Sequence, residues 1–315
     1  MSFIKIHMLD VGKADSIIVE LADAFGNTTT LLIDGGKKEN SKKIISYFNE
    51  MKKFPECIIC THLDRDHVGG LSSIVEEFKE KIRCIWTHVP ARHNKTLKSA
   101  LYEKIKVDGR SRIIFSSIED LEGFVNIAEK YGIPIFEPFS DYSDEKIKKF
   151  CSVFGIRILS PSREFYNGLL EKMKEDFGII SSRSIRDAIE YVSAATSDPC
   201  SVIGIDGADT PENESSVVFE INIFAKKFLF TGDAGILAFD KIRHDLKEVY
   251  WLKVPHHGSI KNLDGDLVER LRPKVAFISA DGSSHHPDSS LLACLEKHQV
   301  KVRSTNSEGN ITIEV

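Results

Sequence analysis

The segment 61–70 concentrates potential metal ligands within a few residues. His62, Asp64, Asp66 and His67 fall in six consecutive positions, between a short apolar run and a glycine pair. Neutral imidazoles and carboxylates are ligands that divalent ions of the zinc or manganese type accept. In an extended chain His62 and Asp64 would share a face, whereas the adjacent Asp66 and His67 must diverge. The spacing therefore suits a loop that supplies ligands to two metal ions better than a loop that holds one ion with four ligands.

Three other apolar runs end in an acid or a histidine pair beside glycine. The first ends at Asp34, the second at Asp233, and the third at His256 and His257. Strand ends that gather on one rim of a sheet hold their side chains with the positional rigidity that a site needs. We therefore expect these residues to lie beside the loop 61–70.

Hydrophobic periodicity predicts an α/β protein. Three strands joined by tight turns begin the chain and form an antiparallel meander, and strands then alternate with helices, which indicates a layered architecture. The predicted strands cover residues 3–9, 17–21, 30–33, 57–61, 83–88, 156–160, 201–205, 216–221, 227–230, 249–254 and 275–279. The predicted helices cover residues 42–53, 70–81, 98–106, 117–131, 183–194, 235–246, 263–271 and 290–298.

The segment from about residue 92 to residue 200 differs from the rest, because its pattern is mostly helical and carries no recognisable motif. We interpret it as a largely helical insertion in a single domain that spans residues 1–315. Insertions of this size carry substrate choice or a surface for a protein partner. The sequence leaves the oligomeric state open.

The composition is that of a soluble globular protein, with 315 residues, 42% hydrophobic and 28% charged, and a net charge of −5. No apolar run reaches the length of a membrane span and the first residues do not form a signal peptide, so we expect a cytoplasmic protein without membrane contact. The negative charge argues against a protein that binds nucleic acid over its whole surface. Residues 37–38, 52–53 and 110–112 form either a local basic groove or ordinary solvated surface.

The six cysteines are scattered and lie mostly in apolar runs, so we expect reduced thiols in the core. Cys57 and Cys60 have the spacing of a C-x-x-C pair. In a strand, however, these two side chains point to opposite faces, which excludes a shared redox or zinc-binding role.

The loop 61–70 resembles the His-x-His-x-Asp-His metal motif of the metallo-β-lactamase superfamily, with Asp64 in place of the second histidine. The other motifs follow in the order of that superfamily, and together they resemble the hydrolase domain of the ComEC/Rec2 group of DNA-uptake channel proteins. These motifs are Asp34-Gly35-Gly36, Thr231-Gly232-Asp233 and His256-His257-Gly258-Ser259. The resemblance implies an αβ/βα four-layer sandwich with metals at the rim of its sheets.

The resemblance also implies the ligands of two divalent ions, either Zn²⁺ or Mn²⁺. His62 and Asp64 would bind the first ion, Asp66 and His67 the second, and Asp233 would bridge them. One member of the pair His256 and His257 would complete the set. The first ion would have at most three protein ligands, because no histidine lies between residues 93 and 233.

Five further residues are candidates for support of the site or contact with the substrate. Asp34 would fix a ligating imidazole by a hydrogen bond, as carboxylates beside metal ligands do. Asp15 lies in a loop that resembles one in the ComEC group, and Asn213 and Ser216 match an Asn-x-x-Ser element there. His286 would contact a substrate phosphate. For Asp34, Asp15 and His286 the alternative is a residue of an ordinary turn.

The resemblance implies a hydrolase that attacks phosphodiesters, with single-stranded DNA as the expected substrate and with water activated by the two ions. Asp66, His256 and His257 are the residues that we expect to act in catalysis. One alternative is the hydrolysis of a small ester, phosphoester or lactone. Another is a partner-regulated subunit of an assembly for DNA processing or defence. A basic groove at the rim would favour nucleic acid, and a closed pocket would favour a small molecule.

Overall fold

The computed structural model describes residues 2–23, 25–175, 198–205, 207, 209–283 and 285–315. These residues form two β-sheets. The first sheet contains β1 (Phe3–Met8), β2 (Ile17–Ala22), β3 (Thr28–Ile33), β4 (Cys57–Ile59), β5 (Cys84–Trp86), β6 (Ile135–Phe136) and β13 (Ile311–Glu314), in the order β13-β1-β2-β3-β4-β5-β6. The second contains β7 (Ile156–Ser160), β8 (Val218–Ile223), β9 (Lys226–Phe230), β10 (Trp251–Lys253), β11 (Val275–Ile278) and β12 (Lys301–Ser304), in the order β12-β11-β10-β9-β8-β7.

Helices flank the two sheets and connect their strands. In chain order they are α1 (Ser41–Met51), α2 (Arg65–Val68), α3 (Leu71–Phe78), α4 (Pro90–His93), α5 (Leu97–Lys104), α6 (Gly109–Lys130), α7 (Glu145–Phe154), α8 (Arg163–Lys172), α9 (Pro211–Glu214), α10 (Ile236–Ile242), α11 (Gly265–Leu271), α12 (Ser289–Lys297) and α13 (Thr305–Glu308). Short 3₁₀ helices cover Lys38–Asn40, Pro199–Ser201 and His256–Gly258. No helix in the described part of the chain is both long and apolar enough to cross a membrane.

Three apolar cores separate four layers. The central core lies between the two sheets and buries side chains such as Ile6 and Trp251. A second core packs α1, α3 and α6 on the outer face of the first sheet. A third, with Phe239 and Leu291, packs α10, α11 and α12 on the outer face of the second sheet. Because each sheet is apolar on both faces, it must be covered on both. The chain is therefore an α/β protein with the αβ/βα layer order that the sequence analysis predicted.

The direction of the strands decides where a site can be built. Strands β1, β2 and β3 are antiparallel, as the meander prediction requires, whereas β3 to β6 are parallel. Strands β9 to β12 are also parallel. Parallel strands bring their carboxyl ends to one edge of a sheet, and loops at that edge are where α/β proteins place their sites.

The structure corrects two predicted elements and leaves one outside its range. Residues 201–205 are not a strand, because Pro199 begins a 3₁₀ helix and Gly204 turns the chain with a positive φ of 73°. The long helix α6 begins eight residues earlier than predicted, since the Asp108 side chain accepts hydrogen bonds from the first turn. The predicted helix at residues 183–194 lies outside the described residues.

The segment 92–200 takes part in both sheets where the structure describes it. Strand β6 pairs with β5, strand β7 pairs with β8, and α6 shares the second core with α1 and α3. Its domain boundaries stay a prediction.

The cysteines fall into two groups. Cys57, Cys60, Cys84 and Cys151 are buried free thiols, as expected, and Cys57 and Cys60 lie in different cores on opposite faces of β4. Cys200 and Cys294 form a disulfide bond, so the expectation of reduced thiols is wrong for this pair. The 94 residues between them hide the contact in the sequence, whereas in the fold their Cα atoms are 4.8 Å apart.

Candidate metal centre

Loops from both sheets meet at one rim. His67, in the short helix α2 that follows β4, places its Nε2 atom 3.2 Å from Oδ2 of Asp233, which follows β9. His257, which follows β10, places its Nε2 atom 3.3 Å from Oδ2 of Asp66. The residues that the sequence analysis expected to converge therefore lie together, although they come from distant parts of the chain.

Two glycines allow the loop after β3 to lie directly against the loop after β4. The backbone N–H of Gly35 donates to the carbonyl of His67 at 2.7 Å. A Cβ atom on Gly70 would stand 2.2 Å from the carbonyl oxygen of Gly35, closer than real Cβ atoms approach any atom. The Gly-Gly pairs of both motifs are thus needed for the close approach of two backbones.

Two overlapping sets of side chains have ligand atoms within 4.8 Å of one another. One set is His62, His67 and Asp233, and the other is Asp66, His67 and His257. Nε2 of His62 is buried and has no hydrogen-bond partner among the described residues. A buried polar atom without a partner is costly, and an imidazole nitrogen beside carboxylates is a donor that a divalent cation satisfies. These residues fit a metal centre.

Electrostatics at the rim also favour bound cations. Burial, helped by the charge of His67, lowers the pKa of His62 to about 3, so its imidazole is neutral and has a free lone pair. Burial opposes charge on His67 as well, but the carboxylates of Asp233 and Asp34 outweigh it and raise the pKa of His67 well above its usual value. The rim therefore holds an excess of carboxylate charge that attracts positive charge.

Asp34 orients one imidazole of the centre. Its two carboxylate oxygens accept hydrogen bonds from the backbone N–H and the hydroxyl of Thr61, each at 2.8 Å. Oδ2 also accepts from Nδ1 of His67 at 2.8 Å. With Nδ1 held in this way, Nε2 of His67 is the nitrogen that faces the other acids. This is the position that the sequence analysis expected for Asp34.

The two adjacent histidines point to different places. His257 donates from Nδ1 to the carbonyl of Ser279 at 2.9 Å and turns Nε2 toward Asp66. His256 instead pairs through Nδ1 with Asp209 at 2.8 Å. Both have left-handed backbone, with φ of 47° and 54°, and this tight turn separates the two rings. Only His257 lies among the carboxylates of the centre.

Asp209 changes the charge of His256. Burial disfavours the charged ring, but the carboxylate of Asp209 outweighs it and raises the pKa of His256 to about 9. The ring of His256 also lies 5.8 Å from that of His286, at an interplanar angle of 28°. His286 thus stands next to His256, outside both ligand sets.

Lys253 is a member of the site that the sequence analysis missed. It is 1% exposed, and its ammonium group donates to the carbonyl of Gly232 at 2.7 Å and contacts Oδ1 of Asp233 at 3.2 Å. It also forms an ion pair with the buried carboxylate of Asp15. A lysine in an otherwise apolar strand, three residues before His256, was a signal that could have identified it.

Lys253 also restricts Asp233. Oδ1 of Asp233 contacts this ammonium group and accepts from the backbone N–H of His256 at 3.2 Å. Oδ2 faces the histidines instead, 3.2 Å from Nε2 of His67 and 3.7 Å from Nε2 of His257. A single oxygen of Asp233 therefore lies between the two ligand sets.

The segment 209–216 holds side chains of the centre in place through hydrogen bonds. Ser216 accepts from the backbone N–H of Asp233 at 3.0 Å, and Asn213 donates to Asp209 at 3.0 Å. Asn262, which the sequence analysis did not select, donates to Asp209 at 2.6 Å. Arg110 pairs with buried Glu212 and ties this segment to α6. Asn213 and Ser216 thus hold other side chains of the site in place.

Two other predictions concern the open side of the centre. Asp64 lies 3.8 Å from Nε2 of His62 and its side chain is 32% exposed. Of the basic segments, residues 37–38 lie at the rim, where their backbone contacts Gly69. Lys53 instead pairs with Glu20 at 3.2 Å, and Arg110 pairs with Glu212. In the described part of the chain, no carboxylate lies within 4 Å of the ammonium groups of Lys13, Lys37 or Lys38.

Comparison with known proteins gives one family match. Residues 9–136 match the metallo-β-lactamase superfamily. The chain is 23% identical to ComE operon protein 3 of Bacillus subtilis (strain 168) over an alignment that covers 98% of this chain and 32% of that protein. The chain thus spans about a third of the length of this curated relative. Asp233, Lys253 and His257 lie outside the family match but in the part of the chain where the second sheet is formed.

Solved structures give weaker similarities. The metallo-β-lactamase fold protein YhfI from Bacillus subtilis is 9% identical, with a TM-score of 0.47 and coverage of 99% of this chain and 100% of that one. The long form of RNase Z from yeast is 13% identical, with a TM-score of 0.41 and coverage of 88% of this chain and 37% of that one.

Proposed function

Since the chain carries a metallo-β-lactamase superfamily domain, a fold of hydrolases, we propose that it is a metal-dependent phosphodiesterase that cleaves DNA, with single strands as its substrate. One observation carries the proposal: two overlapping sets of imidazoles and carboxylates at one rim, with Nε2 of His62 buried and unpartnered. The resemblance of the motifs to the ComEC/Rec2 group supports DNA as the substrate class.

The proposed ligands divide between two ions, Zn²⁺ or Mn²⁺. His62, with Asp64 3.8 Å from its Nε2 atom, would hold the first ion, and Asp66, His67 and His257 would hold the second. The oxygen of Asp233 that lies between the two sets would be available to both ions. When bound, the ions supply a water molecule of lowered pKa and neutralise charge on the phosphate.

The remaining residues position these groups and the substrate. Lys253 and the backbone N–H of His256 hold Oδ1 of Asp233, so that its other oxygen has one orientation. The ring of His256, held by Asp209, is a hydrogen-bond donor beside the centre for the leaving oxygen of the substrate. His286, whose ring stacks near that of His256, would contact a phosphate of the substrate.

Three lysines favour a phosphate-bearing substrate over a neutral ester. Lys13 lies in the loop before Asp15, and Lys37 and Lys38 follow the Asp34 motif, so all three adjoin the rim. None of the three forms an ion pair within 4 Å with a described carboxylate, although Asp281 is close enough to Lys13 for the ammonium charge to contribute to the lowered pKa of that carboxyl. Cations that track the phosphate backbone are one of the features, together with aromatic stacking, by which proteins bind single-stranded nucleic acid.

The experiment is cleavage of labelled single- and double-stranded DNA by the purified chain with Mn²⁺, Mg²⁺ or Zn²⁺. We expect cleavage of single strands that depends on added metal and that Asp66→Ala lowers by at least about 10³-fold, since ligands that act as a unit are lost together. Glu39→Ala, an exposed acid near the same rim, is the matched control and should retain full activity.

Hydrolysis of a phosphomonoester, carboxylic ester or lactone with no cleavage of DNA would overturn the proposal in favour of a small-molecule hydrolase. Cleavage that appears only after addition of a cell extract would instead indicate a partner-regulated subunit. We also propose that the segment 92–200 binds a protein partner and that the protein acts in the cytoplasm.

A further inference from the structure

A second cluster of metal ligands lies away from the rim, where the 3₁₀ helix Pro199–Ser201 packs against α12. Cys200, Cys294 and His298 have ligand atoms within 4.8 Å of one another. Cys294 is fully buried in the third core, whereas Cys200 and His298 are partly exposed. An ion can therefore reach the cluster from solvent.

The helix geometry suits metal binding. Cys294 and His298 are four residues apart, so their side chains lie on one face of α12 and its C-terminal cap. Cys200 approaches the same face from the other segment, with its Cα atom 4.8 Å from that of Cys294. A site with two thiolates and one imidazole binds zinc in preference to manganese or magnesium.

Asp198 adds a carboxylate beside the cluster. It accepts from Nζ of Lys297 at 2.7 Å. Its side chain also accepts from the backbone N–H of Cys200 and so fixes the turn that presents the thiol. The carboxylate of Asp198 therefore holds the turn of Cys200 beside Cys294 and His298, while Lys297 balances its charge.

We propose that Cys200, Cys294 and His298 form a zinc site that is exclusive with the Cys200–Cys294 disulfide. A dithiol reductant breaks the S–S bond, its two electrons and two protons giving two thiols while the reductant becomes a disulfide. Zn²⁺ then displaces both thiol protons and binds the two thiolates and the imidazole, with water in the fourth position. In the reverse direction a small-molecule disulfide accepts two electrons from the two thiolates and takes up two protons to become a dithiol, while the Cys200–Cys294 S–S bond re-forms and Zn²⁺ is released.

Either state ties the start of the segment 198–216 to α12. That segment carries Asp209, which holds His256, and Ser216, which holds the backbone of Asp233. The zinc site is thus placed to preserve this support in a reducing environment, where the disulfide is lost.

Cobalt absorption tests the site, because a thiolate bound to Co²⁺ gives a sulfur-to-metal charge-transfer band in the near ultraviolet. The two ligand sets at the rim, His62, His67 and Asp233 and Asp66, His67 and His257, contain no thiol, so Co²⁺ held by them gives no such band. We expect the reduced, metal-free full chain to develop the band with Co²⁺ and to lose it when Zn²⁺ is added. Cys200→Ser and Cys294→Ser should abolish the band, and His298→Ala should weaken Co²⁺ binding at least about tenfold.

Cys60→Ala is the matched control, because Cys60 is the free thiol next to His62 at the rim, and this variant should keep the full band. Oxidised protein, with the disulfide verified by mass spectrometry, should show none. No band in reduced protein would overturn the proposal, as would a band that persists in Cys200→Ser. Neither result depends on whether the rim cleaves DNA.

Discussion

Replacing His257 with alanine is expected to remove one metal ion and to lower the rate of DNA cleavage by at least about 10³-fold, because a ligand between two carboxylates is lost. Replacing His256 with alanine should leave both ions bound. Its effect should be about 10²-fold on the rate, the size typical of a lost proton donor. Metal content by elemental analysis and the rate of cleavage distinguish the two variants.

The contrast rests on the geometry of two adjacent residues. Nε2 of His257 lies 3.3 Å from Asp66, while the ring of His256 is held by Asp209. Asp209→Asn serves as the comparison for His256→Ala, since it keeps the shape of the pair and removes the carboxylate charge. Loss of an ion in His256→Ala, with both ions kept in His257→Ala, would reverse the assignment.

Replacing Lys253 with methionine should destabilise the fold by about 3–5 kcal/mol, because removal of one partner leaves buried charge uncompensated. Asp15 and Asp233 are 1% and 2% exposed and lose the ammonium group that both contact. The free energy of unfolding should be measured by chemical denaturation with a chelator present, so that metal ions do not replace the missing charge.

Two further variants make this prediction specific. The double variant Lys253→Met with Asp15→Asn should recover part of the loss, because one of the two unpaired carboxylates is removed. Lys227→Met, in the neighbouring strand β9, should cost less than about 1 kcal/mol, since Lys227 is itself partly exposed and buried Glu220 keeps its second ion pair with Arg157. A change of the same small size in Lys253→Met would show that the buried ion pair contributes little.

The sequence alone was sufficient to predict the order of the layers and the loops that form the site. Apolar runs such as residues 57–60 and 227–230 end in the residues that meet at the rim, because burial on both faces and a turn at glycine both leave a signature in the chain. The short strand Ile135–Phe136 was missed, since two residues carry no periodicity. The strand predicted at residues 201–205 was wrong because a proline and a left-handed glycine override its β-branched residues.

The residues that support the site were harder to predict. Asp209 and Asn262 lie in loops, and their roles arise only from contacts across the fold with His256 and with each other. The choice of His257 over His256 depends on two left-handed backbone angles, which no pattern of residue types encodes. Lys253 differs from these, because a charged residue inside an apolar strand is visible in the sequence. The residue types in the sequence therefore indicated the candidate residues, but they did not indicate which side chains contact one another in the fold.

The most direct test of the account is whether the rim binds two ions close together. Metal-free protein should be titrated with Mn²⁺, which the thiolate cluster does not select, and examined by electron paramagnetic resonance. We expect two ions per chain with the spectrum of a spin-coupled pair, and one ion or none in Asp233→Ala. Two uncoupled ions, or no binding to the wild-type chain, would contradict the proposed dinuclear centre.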